Sequence, residues 1–286
     1  MKFRDWVQLL VLAALWGGSF LFMRVLAPVI GPWATADLRM VFGGLFLIVS
    51  FLVLRRSAGW KEHWRVYLVV GVVNSALPFA FYSLAALVLP ASVEVIVNAL
   101  SPAFGAVAGA LFLGENLTAR KVLGLAAGVA GVLVVAGGLD LGASAWAWAA
   151  LGVCLLAPAC YAVGGVLVKT KAGGIPPAAL ALGSQTAAGV LFLPSLALPV
   201  PAGAWSAGPL ALVAVFGILC SGVAYLLYYG LMARLGPTKT LTVTFLMPVF
   251  GVFWGALFLG EPVTLTLALG GILILAGTGA VALPRR

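Results

Sequence analysis

The chain is a succession of long apolar runs separated by short polar punctuation. Strict apolar–polar alternation is missing, and most runs reach the roughly 20 residues that carry a helix across a bilayer. Cutting at charges, Gly/Pro pairs and loop residues predicts ten spans, at 6–27, 34–54, 66–88, 92–112, 121–138, 146–168, 177–198, 208–230, 237–258 and 263–283. The connections are short, so the expected fold class is an all-α integral membrane bundle with no sizeable soluble domain. Lipid offers backbone amides no partner, which excludes open sheet at membrane depth.

Composition agrees with the pattern. The chain is 64% hydrophobic and 8% charged, with a mean hydropathy of +1.19, whereas a soluble domain is about half apolar and a quarter charged. The N-terminal Met1-Lys-Phe-Arg-Asp-Trp6 leads into an apolar run without a clear A-x-A cleavage site, which reads as a retained first span. Cys154, Cys160 and Cys220 lie inside apolar runs without metal-ligand spacing and read as small core residues, so neither metal nor cofactor is expected.

The net charge of +9 has a topological cause. With the N-terminus cytoplasmic, 14 of the 16 Lys and Arg fall on one side: Lys2, Arg4, Arg55, Arg56, Lys61, Arg65, Arg120, Lys121, Lys169, Lys171, Arg234, Lys239, Arg285 and Arg286. Only Arg24 and Arg39 fall towards the other. The positive-inside rule then predicts both termini in the cytoplasm. The expected partners are therefore a lipid bilayer and a small-molecule substrate, not nucleic acid, for a chain acting as a monomer or homodimer.

The chain also repeats itself. Gly109-Ala-Leu-Phe-Leu-Gly-Glu115 recurs unchanged as Gly255-Ala-Leu-Phe-Leu-Gly-Glu261, and over positions 101–118 against 247–264, 11 of 18 residues are identical. Composition alone would give about two. The expected halves are residues 1–141 and 142–286, five spans each. An odd number of spans makes the second copy insert upside down. The flanks agree: Glu115 has Arg120 and Lys121 beside it, whereas Glu261 has no basic neighbour. Inverted repeats around a central cavity are an architecture of alternating access.

Ten spans in two five-span halves, a G-A-L-F-L-G-E block after the fourth span of each, and a central Pro in that span resemble the EamA family of the drug/metabolite transporter superfamily. The resemblance covers essentially the whole chain. It implies a bacterial inner-membrane carrier, not an enzyme, that exports amino acids or related metabolites, most like the aromatic amino acid exporters. Relatives that expel cationic drugs carry a Glu in their first span, where this chain has Trp16.

Candidate chemistry gathers at mid-span. Central Trp, Tyr and amide groups must face protein or a cavity, because an unpaired polar group in hydrocarbon costs a few kcal/mol. Trp16, Pro78, Tyr82, Asn98, Tyr161, Gln185, Ser221, Tyr225, Tyr228 and Trp254 are expected to line such a cavity as an apolar wall with hydrogen-bonding tips. Pro102 and Pro248 would each free a backbone carbonyl for a substrate ammonium. Arg24, Asp37, Arg39 and Glu94 are expected near the outer face, and Lys169 and Lys239 near the inner, as gating charges; Arg39 has the fork to hold a passing carboxylate. All seven acidic residues are expected at or near an interface. The expected function is export of small neutral metabolites, aromatic or hydrophobic amino acids first among them, and a carrier without a midplane acid is expected to be facilitative; the alternative is a proton-coupled exporter of multiple drugs or cationic compounds. Glycines such as Gly124-x-x-x-Gly128-x-x-Gly131 mark the fifth and tenth spans as scaffold or dimer contact.

Overall fold

The apolar runs fold as helices in the expected order. The computed structural model describes residues 2–138, 145–236, 240 and 242–282. Its helices are α1 (Phe3–Ile30), α2 (Pro32–Val53), α3 (Trp60–Ala85), α4 (Ala91–Leu113), α5 (Ala119–Gly138), α6 (Ala145–Lys171), α7 (Pro177–Ala197), α8 (Ala207–Leu235), α9 (Val243–Leu259) and α10 (Leu265–Ala282). Among the described residues, nine of these are long and apolar enough to cross a membrane, and α9 is a shorter apolar helix. The proposed junction between the halves, 141/142, and Lys239 lie outside the described residues.

The two copies interleave instead of forming two bodies. Helix α1 packs on α9 while α6 packs on α4; α2 packs on α8 while α7 packs on α3; and α5 packs on α10. Each of these contacts joins one half to the other. Small residues make the approach possible. A Cβ on Gly17 would sit 2.8 Å from the Met247 carbonyl oxygen and 2.9 Å from the Gly251 nitrogen. The glycine stripe of α5 serves the same purpose: a Cβ on Gly131 or on Gly270 would sit only 2.7 Å from the other's carbonyl oxygen. Leu123, Val129 and Leu133 on the far side of α5 are exposed, as a lipid-facing surface requires.

The repeated seven-residue block is a helix end. Gly114 and Gly260 adopt φ of +69° and +66°, a left-handed conformation that glycine enters without cost. In the first copy the N–H groups of Gly114 and Glu115 both donate to the Gly109 carbonyl; in the second, those of Gly260 and Glu261 donate to Gly255. The carboxylate then folds back over the first glycine of the block, leaving a Cβ there only 2.8 Å (Gly109) or 2.6 Å (Gly255) from a carboxylate oxygen. The block therefore needs glycine twice, once for φ and once for space.

Two further features repeat that sequence pattern did not predict. Helix α3 contains a π-helical segment at Val72–Ala76 and α8 one at Ile218–Val223. Their first residues are 146 apart, the same offset as Gly109 to Gly255. In each, an amide reaches back five residues instead of four: Leu77 to Val72 and Ala224 to Leu219. π-Bulges tend to occur at functional sites, and both of these bear on the cavity.

Candidate functional site

A cavity of about 600 Å³ lies between the halves. Equivalent positions of both copies build it. Tyr82 and Tyr228, Phe79 and Tyr225, Asn98 and Thr244, and Ser101 and Met247 all line it, each pair 146 residues apart. From α1 and α6, Trp16 and Tyr161, Phe20 and Gly165, and Met23 and Val168 line it at an offset of 145. The wall continues to Ala172, Ile175 and Pro177 at the α6–α7 turn and to Met232 near the end of α8, so the cavity reaches that end of the bundle.

Aromatic rings dominate the wall. Trp16 lies 5.2 Å from Tyr228 and 6.1 Å from Tyr225, and Tyr82 lies 5.0 Å from Phe20 and 6.5 Å from Tyr161. The Tyr82 hydroxyl donates to Asn98 Oδ1 at 2.8 Å, fixing both tips. Helix α4 breaks here, between Asn98 and Ser101, because Pro102 has no N–H to return to the Asn98 carbonyl. Ser101 Oγ donates to that carbonyl at 2.6 Å, taking one of its two lone pairs. Pro102 is half-buried at the break, and Pro248 is buried inside α9, which continues through it; neither borders the cavity.

Behind the wall, two hydrogen bonds cross between the halves at the π-segments. Arg39 Nε on α2 donates to Ser221 Oγ in the bulge of α8 at 3.0 Å. Gln185 Nε2 on α7 donates to Ser75 Oγ in the bulge of α3 at 3.2 Å. Arg39 and Gln185 are repeat mates, as are Ser75 and Ser221, all at the offset of 146. Gln185 and Ser221 are fully buried and lie behind the lining, while Pro78 is buried just beyond the first bulge.

Several charged residues sit elsewhere than expected. Arg39 is not at the outer face: it is 5% exposed, borders the cavity, and carries the Phe79 and Phe216 rings at 3.7 and 4.7 Å from its guanidinium carbon. Asp37 and Glu94 are not interfacial either; both are 0% exposed, and their carboxyl oxygens have no hydrogen-bond partner among the described residues. Helix α2 starts at Pro32, so both α2 residues enter the bundle with it, and α4 starts at Ala91, carrying Glu94 inward by one turn. Arg24 donates to the Ala86 carbonyl at the α3–α4 turn. Beside it Glu261 accepts from the N–H groups of Ala91 and Ser92, at 2.8 and 2.9 Å, closing the end of the bundle opposite the α6–α7 turn.

Trp254 also departs from expectation. Its indole N–H donates to the Ala14 carbonyl at 3.1 Å, and its ring packs on Phe253 and Phe258 outside the cavity wall. It ties α9 to α1. Trp254→Phe is expected to leave transport near wild type and to lower stability by about 1 kcal/mol, the worth of one hydrogen bond, read as a thermal midpoint in detergent.

Lys169 pairs with Glu115 at 2.9 Å on the exposed rim. The Lys169 ammonium, first by its hydrogen bond and then by its charge, holds the Glu115 carboxyl below the ordinary value of 4.5. A carboxyl with a depressed folded value adds stability above its unfolded value and loses it as pH falls through the folded one. The stability difference between wild type and Lys169→Met is therefore expected to be small at pH 7, as for exposed pairs, and to vanish on acidification below the depressed value. Thermal midpoints across pH 2–7 measure it.

Sequence reasoning missed Phe79, Tyr229 and Asn74 of the wall. Phe79 was accessible through its mate, Tyr225. Asn74 is a polar residue in an apolar span, the same signal that picked out Asn98.

The relatives agree with this architecture. The model of the EamA-like transporter family matches the chain twice, at residues 5–137 and 147–283. The uncharacterized transporter YvbV of Bacillus subtilis is 27% identical over 279 residues, covering 96% of this chain and 90% of that protein. The threonine/homoserine exporter RhtA of Escherichia coli strain K12 is 30% identical over 273 residues, covering 93% and 88%. A solved crystal structure superimposes with a TM-score of 0.67 at 21% identity, covering 98% of this chain and 96% of that one, which shows a shared fold. Two matches to one family, meeting at a cavity that both copies line, make this chain a member of the EamA-like transporter family: a multi-pass transporter of the inner membrane and not an enzyme.

Proposed function

We propose that the protein exports small amino acids or related metabolites, with apolar or aromatic side chains favoured, by alternating access of the central cavity. The observation that carries this reading is the wall itself: Trp16, Phe20, Tyr82, Tyr161, Tyr225 and Tyr228 surround a space of about 600 Å³, suited to one small amphipathic molecule. The name of its relative RhtA, a threonine/homoserine exporter, supports the amino acid class. The two halves act as inverted repeats with both termini cytoplasmic. The charge bias of the loops then makes the α6–α7 end cytoplasmic, so this conformation is inward-open and closed outside by Glu261 on the α4 N-terminus.

Transport is driven by the substrate gradient, because no carboxylate borders the cavity among the described residues. A second reading, proton-coupled export of the same substrates, draws support from Glu94 and Asp37, which are buried without partners. Proteoliposomes of purified protein separate the two. Labelled Trp, Phe, Met and Thr should show saturable uptake that unlabelled neutral amino acids compete, with no ion gradient. Stimulation several-fold by an imposed pH gradient, abolished by a protonophore, would establish the coupled reading. Uptake of none of them would remove the amino acid reading.

A further inference from the structure

We infer that the carried molecule bears a carboxylate and that Arg39 is the residue that selects it, an inference that rests on the carrier reading above. Arg39 is the only charged side chain among the described residues lining the cavity. Its Nε is occupied by Ser221, and its ring neighbours Phe79 and Phe216 hold the guanidinium in place. The two terminal nitrogens have no protein partner among the described residues, and the residue borders the open space. A planar fork fixed at one edge and open at the other is the arrangement that accepts both oxygens of a carboxylate.

The charge balance supports the same conclusion. A buried cation in a membrane protein is ordinarily paired, yet the described residues place ion pairs only at Lys169–Glu115 and Arg234–Asp5. Asp37, two positions before Arg39, cannot serve: residues at i and i+2 leave a helix on different faces. Aromatic rings offset part of the cost of the charge, and the remainder is offset when the cargo supplies an anion. A single cation matches a single negative charge. A phosphate, with about two charges at neutral pH, would call for further cations that the aromatic wall does not contain.

The repeat isolates this function. The equivalent position of the other half is Gln185, with the same serine partner in the same kind of bulge but no charge. The hydrogen-bonded architecture is thus satisfied by an amide, and the positive charge at residue 39 is surplus to it. Arg39→Gln consequently installs a residue that the fold already accommodates at the matching site.

The test is competition against uptake of the best neutral amino acid in proteoliposomes. Three competitors are compared: the deaminated acid of the same side chain, the amino acid amide, and an aromatic phosphate. In the wild type the deaminated acid should compete within a few-fold of the parent, while the amide and the phosphate should be weaker by roughly ten- to a hundredfold, the range expected for a charge-assisted hydrogen-bonded pair. Arg39→Gln should level acid and amide, and Arg39→Lys should keep the preference at reduced affinity. An amide that competes as well as the acid in the wild type would overturn the inference and leave the exporter reading standing; so would an Arg39→Gln protein that still discriminates. Better competition by the phosphate would replace the carboxylate with a phosphate as cargo and overturn the inference. Wild-type protein that carries no amino acid at all would bring down the amino acid reading, and this inference with it. Should Arg39→Gln fail to reach the membrane, the wild-type competition decides alone.

Discussion

Gly17→Val will force α1 away from α9, lowering stability and abolishing transport. A Cβ at residue 17 would sit 2.8 Å from one backbone atom and 2.9 Å from another on the facing helix. Backbone cannot swing aside as a side chain can, so valine forces the helices apart. Overpacking of this kind costs about 1–3 kcal/mol or more, and here the cost falls on the seam carrying Trp16, Phe20, Thr244 and Met247 of the cavity wall. The thermal midpoint in detergent should fall by several degrees, at roughly 2–4 °C per kcal/mol for a chain of this class. Gly105→Ala is the matched control, since a Cβ there meets nothing within 4 Å. A wild-type midpoint for Gly17→Val would mean that the two backbones are not in contact.

Glu261→Ala will open the end of the cavity that is closed here. Glu261 accepts from two main-chain N–H groups at the start of α4, where the helix dipole also favours a negative group. Hydrogen bonds to a charged group contribute about 1.5–3 kcal/mol each, and 1.4 kcal/mol moves a two-state balance tenfold. The closed state should therefore lose a factor of ten or more relative to the open one. With Cys154, Cys160 and Cys220 replaced and Ser92→Cys as reporter, an impermeant maleimide added outside cells should label the Glu261→Ala protein at least tenfold faster than its parent. Ser92 is only 3% exposed in the closed end, so the baseline is low. Equal labelling would show that Glu261 does not hold that end shut.

Both predictions depend on features with different visibility in the sequence. The helices could be read because lipid makes a span's length and apolarity nearly sufficient. The duplication could be read because the G-A-L-F-L-G-E block is held by backbone demands at Gly109, Gly114 and their mates. Depth and facing were harder. Asp37 and Arg39 lie near the start of a predicted span, and hydropathy places such residues at an interface. Only the packing of α2 on α8 shows Asp37 sealed inside the bundle and Arg39 turned to the cavity. Pro102 and Pro248 look equivalent in sequence, yet one coincides with a helix break and the other does not. The π-segments had no residue signature at all: Pro78 follows the first, while Ala224 holds the matching position after the second. They follow from close crossing of α7 on α3 and α2 on α8, a tertiary property.

The helix-end block also says where change can be tolerated. Its two glycines and its glutamate are the same in two copies that face different surroundings, because the left-handed turn and the returning carboxylate require them. Residues 39 and 185 share one hydrogen-bonding scheme and yet diverged from each other. A duplicated chain thus carries its own internal control. A matched pair such as 39 and 185, where one hydrogen-bonding scheme is kept and only the charge differs, separates what the fold needs from what it does not. Exchanging residues between the copies, before borrowing any from another protein, is the most economical way to redirect what such a carrier moves.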